Sequence, residues 1–368
     1  MAAVAIAAGG GGDAVTAAVL ADMMPALRVA AIMSFSWDRL IIDPTPGPRS
    51  RGDFRGLIDR GGVSEVPSTA TLRTEGESTL PRLSKHIEQP LLLMDVEAGA
   101  NGLARQIRCA ADAFDADELA VIDTGGDILA TGTEPGLRSP LADSVALAAA
   151  ISSGLTTQVL VAGVGLDGEL SPAELDARLI ALDAKEVGNL IPDDAKGFAS
   201  IWSWHPSEAN ALLAAAASGW RGCVETQRGA VVDVTDAATR VYRIAATALS
   251  ESSLAALLAR TSSLHEIEQL LREHRGYSDI DVERDRLLHR ARPRMPDADT
   301  LTLIDGYTAD AYARGVDALT VRRVIELTGA TYPAATAALR DHLARSRPDN
   351  FRPPLYTVQP TNRPRSSR

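Results

Sequence analysis

The stretch VAIAAGGGGDAVTAAVLADMM, residues 4–24, decides the fold class. It opens with an apolar run of strand length at residues 4–8, continues through four glycines and ends in a helical pattern at residues 14–24. Glycine permits the tight turn that leads from a buried strand directly into a helix. The stretch therefore predicts the first half of a β-α-β unit, in which a parallel strand follows the helix.

Beyond this stretch, apolar runs of strand length alternate with helical segments as far as about residue 245. Further strands are predicted at residues 27–33, 90–94, 119–122 and 158–163. They are rich in Val, Ile and Leu without polar alternation, which is typical of a sheet buried on both faces. The pattern predicts an α/β fold with a Rossmann-like, three-layer parallel sheet and a helical C-terminal subdomain.

Helical patterns dominate after residue 250, and this change predicts the domain organisation. We expect a Rossmann-like ligand-binding domain at residues 1–250 and a helical subdomain at residues 251–345. Residues 346–368 are rich in Pro and Arg, so we expect a partly disordered tail. Residues 34–62 are dense in Pro, Gly and charge, and they predict a long loop that is a lid, a binding loop or a disordered stretch.

The composition excludes several classes of protein. Acids outnumber bases by 48 to 37, and the net charge of −11 argues against a chain that coats nucleic acid or an anionic membrane. Two cysteines, Cys109 and Cys223, are too few for a disulfide scaffold or a cysteine-based zinc site. No apolar run is as long as a membrane-spanning helix requires, which is about 18 to 20 residues. We therefore expect a cytoplasmic protein that does not enter a membrane.

The best local motif is a loop of four glycines: Gly9, Gly10, Gly11 and Gly12. The loop with its flanking alanine fits G-x-G-x-x-A, and the N–H groups at the start of the next helix would bind a phosphate or a nucleotide. Asp13 would cap this helix or stand in the site. The second predicted strand lacks the terminal acid that binds ribose in dinucleotide sites, so NAD is not favoured. The alternative is a tight turn that binds nothing.

Pairs of acids follow three of the predicted parallel strands: Asp95 and Glu97, Asp123 and Asp127, Asp167 and Glu169. In open α/β sheets the ligand crevice lies beyond these carboxyl ends. We expect Asp123 and Asp127 to bind Mg²⁺ or to act as general acid and base, with Gly125 and Gly126 contacting the substrate. For any one acid the alternative is helix capping in a strand-to-helix turn.

Two other segments carry candidate site residues. The segment WSWHPSEAN places His205 and Glu208 at a helix start, where we expect them to take part in catalysis; packing of the histidine beside the two tryptophans is the alternative. In the loop after the second strand, Arg49 would clamp a phosphate and Asp38 would bind substrate, unless this segment is a solvated crossover.

Six motifs resemble those of the DUF1152 family, a domain of unknown function in archaea and actinobacteria. They are GGGGDA at 9–14, DP-x-PGP at 43–48, DTGGDIL at 123–129, SPLADSVALAAA at 139–150, GLDGEL at 165–170 and HPSEANALLAAAA at 205–217. The resemblance covers roughly residues 1–245. It implies that the motifs form one shared site, in a protein of actinobacterial type, but it brings no activity or catalytic residues with it.

The leading hypothesis is an enzyme, a transferase or hydrolase, acting on a phosphorylated or nucleotide-like small molecule. Phosphoryl or glycosyl transfer or hydrolysis would occur at the glycine loop and the carboxylates, where we expect Mg²⁺ to bind. Asp13 or His205 would transfer protons. We expect the protein to form a homo-oligomer. One alternative is a ligand-sensing regulator that uses the helix-turn-helix spacing of residues 320–343, although the apolar reading face disfavours nucleic acid as a partner. The other is a metal-independent lyase or hydrolase that uses the carboxylates directly.

Overall fold

The computed structural model describes residues 2–358. Within this range the strands are β1 Ala3–Ala7, β2 Val29–Ser34, β3 Phe54–Arg55, β4 Ile58–Asp59, β5 Ser64–Glu65, β6 Thr71–Leu72, β7 Leu91–Leu93, β8 Glu118–Thr124, β9 Thr156–Ala162, β10 Lys185–Asn189, β11 Gly222–Glu225, β12 Val231–Val234, β13 Arg240–Ala245, β14 Ala318–Thr320, β15 Phe351–Arg352 and β16 Leu355–Thr357. The α-helices are α1 Gly11–Met23, α2 Leu80–Leu83, α3 Gly99–Ala113, α4 Pro140–Ser152, α5 Pro172–Ala181, α6 Pro192–Lys196, α7 Glu208–Ala217, α8 Ala246–Glu251, α9 Ala255–Leu258, α10 Leu264–Arg275, α11 Asp279–Leu288, α12 Thr300–Ala313, α13 Val321–Thr328 and α14 Pro333–Ser346. In the part of the chain so described, no helix combines the length and apolar character needed to cross a membrane.

Nine strands form a central sheet in the order β10-β13-β9-β8-β1-β2-β7-β5-β4. The five strands predicted from the first half of the sequence are confirmed as β1, β2, β7, β8 and β9, and all of them pair in parallel. Antiparallel pairs extend both edges, through β13 and β10 on one side and β5 and β4 on the other. The protein is thus a mixed α/β protein with a large, mostly parallel sheet.

Alternate side chains of β1 enter two different hydrophobic cores. Val4 and Ile6 contribute to the core that contains α3 and α4, whereas Ala5 and Ala7 contribute to the core that contains α1 and α7. Helices therefore cover both faces of the sheet, since successive residues of a strand point to opposite faces. Each of these four residues is fully buried, as expected for a central parallel strand.

The hydrophobic core does not divide at residue 250. Leu249 of α8, Leu258 of α9 and Ile267 of α10 belong to the same core as β1 and α4. Helices α8, α9 and α10 thus complete one face of the sheet, whereas α12, α13 and α14 pack in a further core that includes Ile304, Val324 and Leu339. The helical subdomain expected at residues 251–345 therefore shares its first helices with the core of the central sheet.

A second sheet, ordered β12-β11-β14-β16-β15, joins two distant parts of the chain. Strand β14 pairs in parallel with β11 and antiparallel with β16, and Leu355 and Tyr356 of β16 are buried. The tail was expected to be partly disordered, but its described part, as far as Val358, forms a β-hairpin on this sheet. Residues 359–368 lie outside the described residues.

Residues 34–62 carry local structure rather than one long irregular loop. They include the 3-10 helix Arg51–Asp53 and the short strands β3 and β4, and an isolated bridge pairs Ser36 with Arg49. Strand β4 joins the central sheet through β5. Strand β4 of this segment therefore extends one edge of the central sheet, whereas β3 pairs with β6 in a separate two-stranded sheet.

Candidate functional site

The candidate site is a cleft at the carboxyl ends of β1, β8 and β9. Strands β1 and β8 are neighbours, yet β1 leads to α1 on one face of the sheet and β8 leads to α4 on the other. A crevice opens where two connections leave a sheet in opposite directions. The loop after β11, together with α11 and α13, lines the opposite wall. The space in the cleft is about 1240 Å³ when the part open to solvent is included.

Three aspartates converge beside this cleft and form what we call the aspartate triad; two of them, Asp13 and Asp143, line the cleft. Asp13 lies in the first turn of α1, Asp123 lies in β8, and Asp143 lies in the first turn of α4. Each offers one carboxylate oxygen, and the three oxygens lie within 4.8 Å of one another. The residues are only 5%, 1% and 2% exposed, so water screens their charges poorly.

Some carboxylate oxygens of the triad accept hydrogen bonds from the protein, and others have no donor. Asp13 accepts hydrogen bonds from the Gly9 N–H at 2.7 Å and from Asn210 Nδ2 at 3.1 Å. Asp123 Oδ2 accepts one from the Gly126 N–H at 2.9 Å. The other oxygen of Asp123 and Oδ1 of Asp143 are buried without a hydrogen-bond partner anywhere in residues 2–358. A buried carboxylate oxygen without a partner is unfavourable, so the protein lacks a donor or a cation at these two atoms. Three more oxygens on residues that line the cleft are unpartnered in the same way: Asp167 Oδ2, Glu208 Oε2 and Asp279 Oδ1.

Burial raises the pKa of every member of the triad, and neighbouring negative charges add to the rise for Asp123 and Asp143. Burial raises the pKa of Asp13 to about 6. Burial and the charges of Asp13 and Asp167 raise the pKa of Asp123 well above its usual range, and burial with the charges of Asp123 and Asp13 does the same for Asp143. The triad therefore needs either protons or a bound cation near neutral pH.

Two further carboxyl groups, Asp127 and Asp167, line the cleft beside the triad. Asp127, which we predicted as a metal ligand with Asp123, begins a 3-10 turn after β8, and Asp143 takes its place in the group whose oxygens converge. Burial and neighbouring acids, Asp143 foremost, raise the pKa of Asp127. Burial and the charge of Glu169 raise the pKa of Asp167 to about 7. A carboxyl group that titrates near neutral pH can exchange a proton with a substrate.

The glycine loop turns tightly and also admits neighbouring side chains. Gly10 has a φ of 119°, and α1 begins at Gly11 without a side-chain cap, so the first N–H groups of the helix are available to an anion. A Cβ on Gly12 would lie 2.5 Å from Ser207 Oγ. Three of the four predicted glycines line the cleft: Gly9, Gly11 and Gly12. The structure thus gives these glycines a packing role even without a ligand.

Gly125 and Gly126, which we expected to contact the substrate, shape the carboxylates instead. Both have a left-handed φ, 125° and 101°. A Cβ on Gly125 would lie 2.3 Å from Asp167 Oδ2, and the Gly126 N–H holds Asp123. The residues that line the cleft include neither glycine.

His205 lines the cleft as a hydrogen-bond donor. Its Nδ1 accepts a hydrogen bond from the Ser207 N–H at 3.2 Å, so the neutral ring carries its proton on Nε2. Burial and the charges of Arg340 and Arg82 lower the pKa of His205 to about 3. Nε2 is buried, has no partner within the described chain, and would lie 3.9 Å from a Cβ on Gly11. This geometry favours donation to a ligand oxygen over the proton transfer that we predicted.

Glu208 and Asp38 also line the cleft, but their hydrogen bonds go mostly to the protein. Glu208 accepts from the Gln227 N–H at 3.0 Å and from the Thr320 hydroxyl. Asp38 accepts from both the N–H and the hydroxyl of Thr79. Burial raises the pKa of Asp38 to about 6. These contacts hold both side chains to the protein, and a direct role in catalysis or binding stays a prediction.

Arg49 does not reach the cleft. Its guanidinium is 3% exposed and forms a two-pronged ion pair with Asp43, at 2.6 and 2.8 Å. It also donates to the Thr74 hydroxyl and the Glu75 carbonyl. The phosphate clamp predicted for Arg49 is therefore replaced by a contact that holds the segment after β2 together. Sequence pattern could not distinguish these roles, because both use an arginine in a charged loop.

A family model described as a protein of unknown function (DUF1152) matches residues 4–287. The chain belongs to the DUF1152 family. The match continues past residue 245, where the recognised motifs stop, and it therefore includes α8, α9 and α10, which complete the core of the central sheet. No curated protein and no solved structure matches this DUF1152 chain.

Sequence reasoning missed several groups in the cleft of this DUF1152 protein. Asp143 had a usable signal, since it is an acid in a segment, SPLADSVALAAA, whose other residues are small or apolar. Asp279 had no local signal: it accepts from the Leu141 N–H at 2.6 Å, although the two residues are far apart in sequence. Arginines from the C-terminal half of the chain also line the cleft and were missed for the same reason: Arg228, Arg286 and Arg322.

Proposed function

We propose that this protein is a cation-dependent enzyme that acts on a phosphorylated small molecule, by phosphoryl or glycosyl transfer or by hydrolysis. The observation that carries the proposal is the pair of buried, unpartnered oxygens, Asp123 Oδ1 and Asp143 Oδ1, beside Asp13. Carboxylate oxygens are the ligands that Mg²⁺ prefers in proteins. A divalent ion at the triad would neutralise its charge and would polarise a phosphoryl oxygen as a Lewis acid.

The architecture supports a phosphate-bearing ligand at this position, and we propose that the fold is Rossmann-like. Numbered along the chain, the five parallel strands stand in the order 3-2-1-4-5, as in doubly wound nucleotide-binding domains. The start of α1 lies at the point where the order reverses. Helix N-termini at such points bind phosphate through free N–H groups.

The side chains around the start of α1 suit the reacting phosphate. The N–H groups of Gly11 and Gly12 and the Nε2–H of His205 would donate to its oxygens. Asp167, whose pKa is raised to about 7, would exchange a proton with the attacking or leaving group. Each of these residues lines the same cleft as Asp13 and Asp143.

The test combines metal binding with ligand binding. We expect calorimetric titration to show Mn²⁺ binding by the native protein and not by Asp123→Asn or Asp143→Asn. The control is Asp176→Asn, an exposed acid of α5 outside the cleft. Thermal unfolding in the presence of sugar phosphates, nucleotides and dinucleotides should then show a Mg²⁺-dependent rise in Tm with one phosphorylated class. Turnover assays on that class follow. Equal Mn²⁺ binding by all four proteins would refute the cation site.

A second candidate is the metal-independent enzyme that uses the carboxylates directly. The raised pKa values of Asp13 and Asp167, about 6 and about 7, favour it, because protons alone would relieve the crowding of charge. This candidate predicts turnover in EDTA that Asp123→Asn abolishes. The regulatory alternative has less support, since Ala335 of its reading face is buried and Arg340 on α14 donates to the Ser203 carbonyl.

A further inference from the structure

Five arginines from separate segments line the same cleft as the triad: Arg39, Arg138, Arg228, Arg286 and Arg322. We call them the arginine wall. Arg39 follows β2, Arg138 precedes α4, and the other three come from the segment after β11, from α11 and from α13. Nine Asp and Glu side chains line the same cleft, and the protein has a net charge of −11, so five guanidinium groups gathered among these acids are a specific feature of this site.

Only part of the arginine wall is engaged by the protein itself. Arg138 donates to the carbonyls of Asp167 and Gly168, and Arg322 lies 3.9 Å from Glu208. The side chains of the remaining three form no hydrogen bond or close ion pair with any residue that the structure describes: Arg39, Arg228 and Arg286.

The arginines are close enough to repel one another. Desolvation and the charges of four neighbours, Arg286 foremost, lower the pKa of Arg228 to about 10. Desolvation together with the charges of Arg39 and Arg138 also lowers the pKa of Arg286. Guanidinium groups remain charged at this degree of perturbation, and the charges of Glu283 and Glu326 offset only part of the lowering at Arg286, so a bound anion would relieve the rest. The planar fork of arginine matches phosphate oxygens in particular.

We propose that the substrate carries a second phosphate, which Arg39, Arg228 and Arg286 bind, so that the substrate class is an organic diphosphate or bisphosphate. The inference rests on the proposed function, in which the first phosphate lies at the triad and the start of α1. The two halves of the cleft then have different tasks. The triad side holds the cation and the reacting phosphate, and the arginine wall holds the distal phosphate and sets the specificity.

The experiment measures the affinity of inorganic phosphate, pyrophosphate and tripolyphosphate by calorimetry in saturating Mg²⁺. We expect a probe with two or more phosphates to bind at least about tenfold more tightly than inorganic phosphate. Arg228→Gln and Arg286→Gln should each remove about tenfold or more of this advantage, the usual effect of losing a charge-assisted hydrogen bond. The matched control is Arg345→Gln, an exposed arginine of α14 outside the cleft, which should bind as the native protein does.

Mn²⁺ titration of the same variants separates this inference from the proposed function. Intact Mn²⁺ affinity in Arg228→Gln and Arg286→Gln, with the polyphosphate advantage lost, supports the inference and shows that these variants are folded. The inference is overturned, and the proposed cation site is unaffected, if polyphosphates bind the native protein no more tightly than phosphate does. The same holds if polyphosphates bind both variants as tightly as they bind the control. Absence of Mn²⁺ binding in the native protein would instead overturn the proposed function. The variants' loss of polyphosphate affinity in EDTA would still report on the arginine wall.

Discussion

Asp143→Asn should stabilise the protein in EDTA and abolish its stabilisation by Mn²⁺. In the native protein the buried Asp143 carboxylate faces two other acids, and its Oδ1 has no hydrogen-bond partner among residues 2–358. Asparagine has nearly the same shape, removes one negative charge and supplies an N–H₂ group that can donate to the neighbouring Asp123 Oδ1. The substitution therefore relieves repulsion without creating a cavity, and it removes one ligand of the proposed cation.

The structure sets the size of both effects. The pKa of Asp13 rises from 3.8 to about 6, and a shift of this size corresponds to about 3 kcal/mol of lost stability near pH 7.5. Burial and the charges of Asp123 and Asp13 raise the pKa of Asp143 as well, so removal of the Asp143 charge should recover about 1 to 3 kcal/mol. For a chain of 368 residues, 1 kcal/mol changes Tm by about 1.3 °C, so Tm in EDTA should rise by about 1 to 4 °C. Native protein in Mn²⁺ at about 100 times Kd should gain about 2.7 kcal/mol, or about 3 to 4 °C.

Differential scanning calorimetry of native protein, Asp143→Asn and the exposed control Asp176→Asn, each with EDTA and with Mn²⁺, measures both effects. The informative signature is the opposite sign: the variant is the more stable protein in EDTA and the less stable one in Mn²⁺. A variant that is less stable in EDTA would show that Asp143 makes a favourable contact there. A variant that still gains stability from Mn²⁺ would show that the ion binds elsewhere.

Three other predictions concern pH, the histidine and the second sheet. In EDTA, stability should rise as pH falls from about 7 toward 5, because Asp13 and Asp38 have folded pKa values near 6 and Asp167 one near 7, all above 3.8, and so bind protons more tightly in the folded state. His205, with a folded pKa of about 3, offsets part of this rise. Urea unfolding that is flat or falls over this range would contradict the linkage. His205→Gln, which keeps a hydrogen-bond donor, should bind phosphate with an affinity within a few-fold of that of the native protein. His205→Leu should lose about tenfold or more in affinity measured by calorimetry. Equal losses would mean that the histidine does not donate a hydrogen bond to the phosphate. Glu225→Gln should lower the free energy of unfolding, measured with urea, by about 3 kcal/mol, because this 1% exposed carboxylate accepts hydrogen bonds from Arg314, Arg323 and Tyr307. The substitution should leave the affinity for Mn²⁺ unchanged. An unchanged free energy of unfolding would mean that these hydrogen bonds do not stabilise the second sheet.

Local sequence pattern was sufficient to predict the five parallel strands of the central sheet and two of the three aspartates in the triad. Strand β1, the glycine loop and α1 are contiguous, and each has a periodicity or a turn residue that predicts it. Asp13 and Asp123 were predictable because they follow the glycine loop and lie near the end of a parallel strand, where the crevice of such a sheet lies. Asp95 follows the same rule, but β7 stands two strands away from β1, and Asp95 accepts from the Arg51 N–H instead.

Contacts between distant parts of the chain could not be predicted in this way. The pairing of β11 with β14 creates the second sheet, and no property of either short segment indicates the other. Arg322 follows β14, so its place in the cleft depends on that pairing. Arg49 shows the converse, since the charge pattern that predicted a ligand contact also fits its buried pair with Asp43.

The charges in the cleft explain why its two walls come from different parts of the fold. Buried carboxylates that converge at the end of a parallel sheet raise one another's pKa, as Asp123 and Asp143 do, and a site built only from them would bind a cation but repel a phosphate. Burial raises the pKa of Asp13 and the charge of Arg39 offsets part of that rise, so the arginine wall and the triad are electrostatically coupled. An ion alone would satisfy only the triad, and a phosphate alone would satisfy only the wall. A phosphorylated substrate that binds together with a divalent cation satisfies both, so we expect the two to bind cooperatively, each raising the affinity for the other.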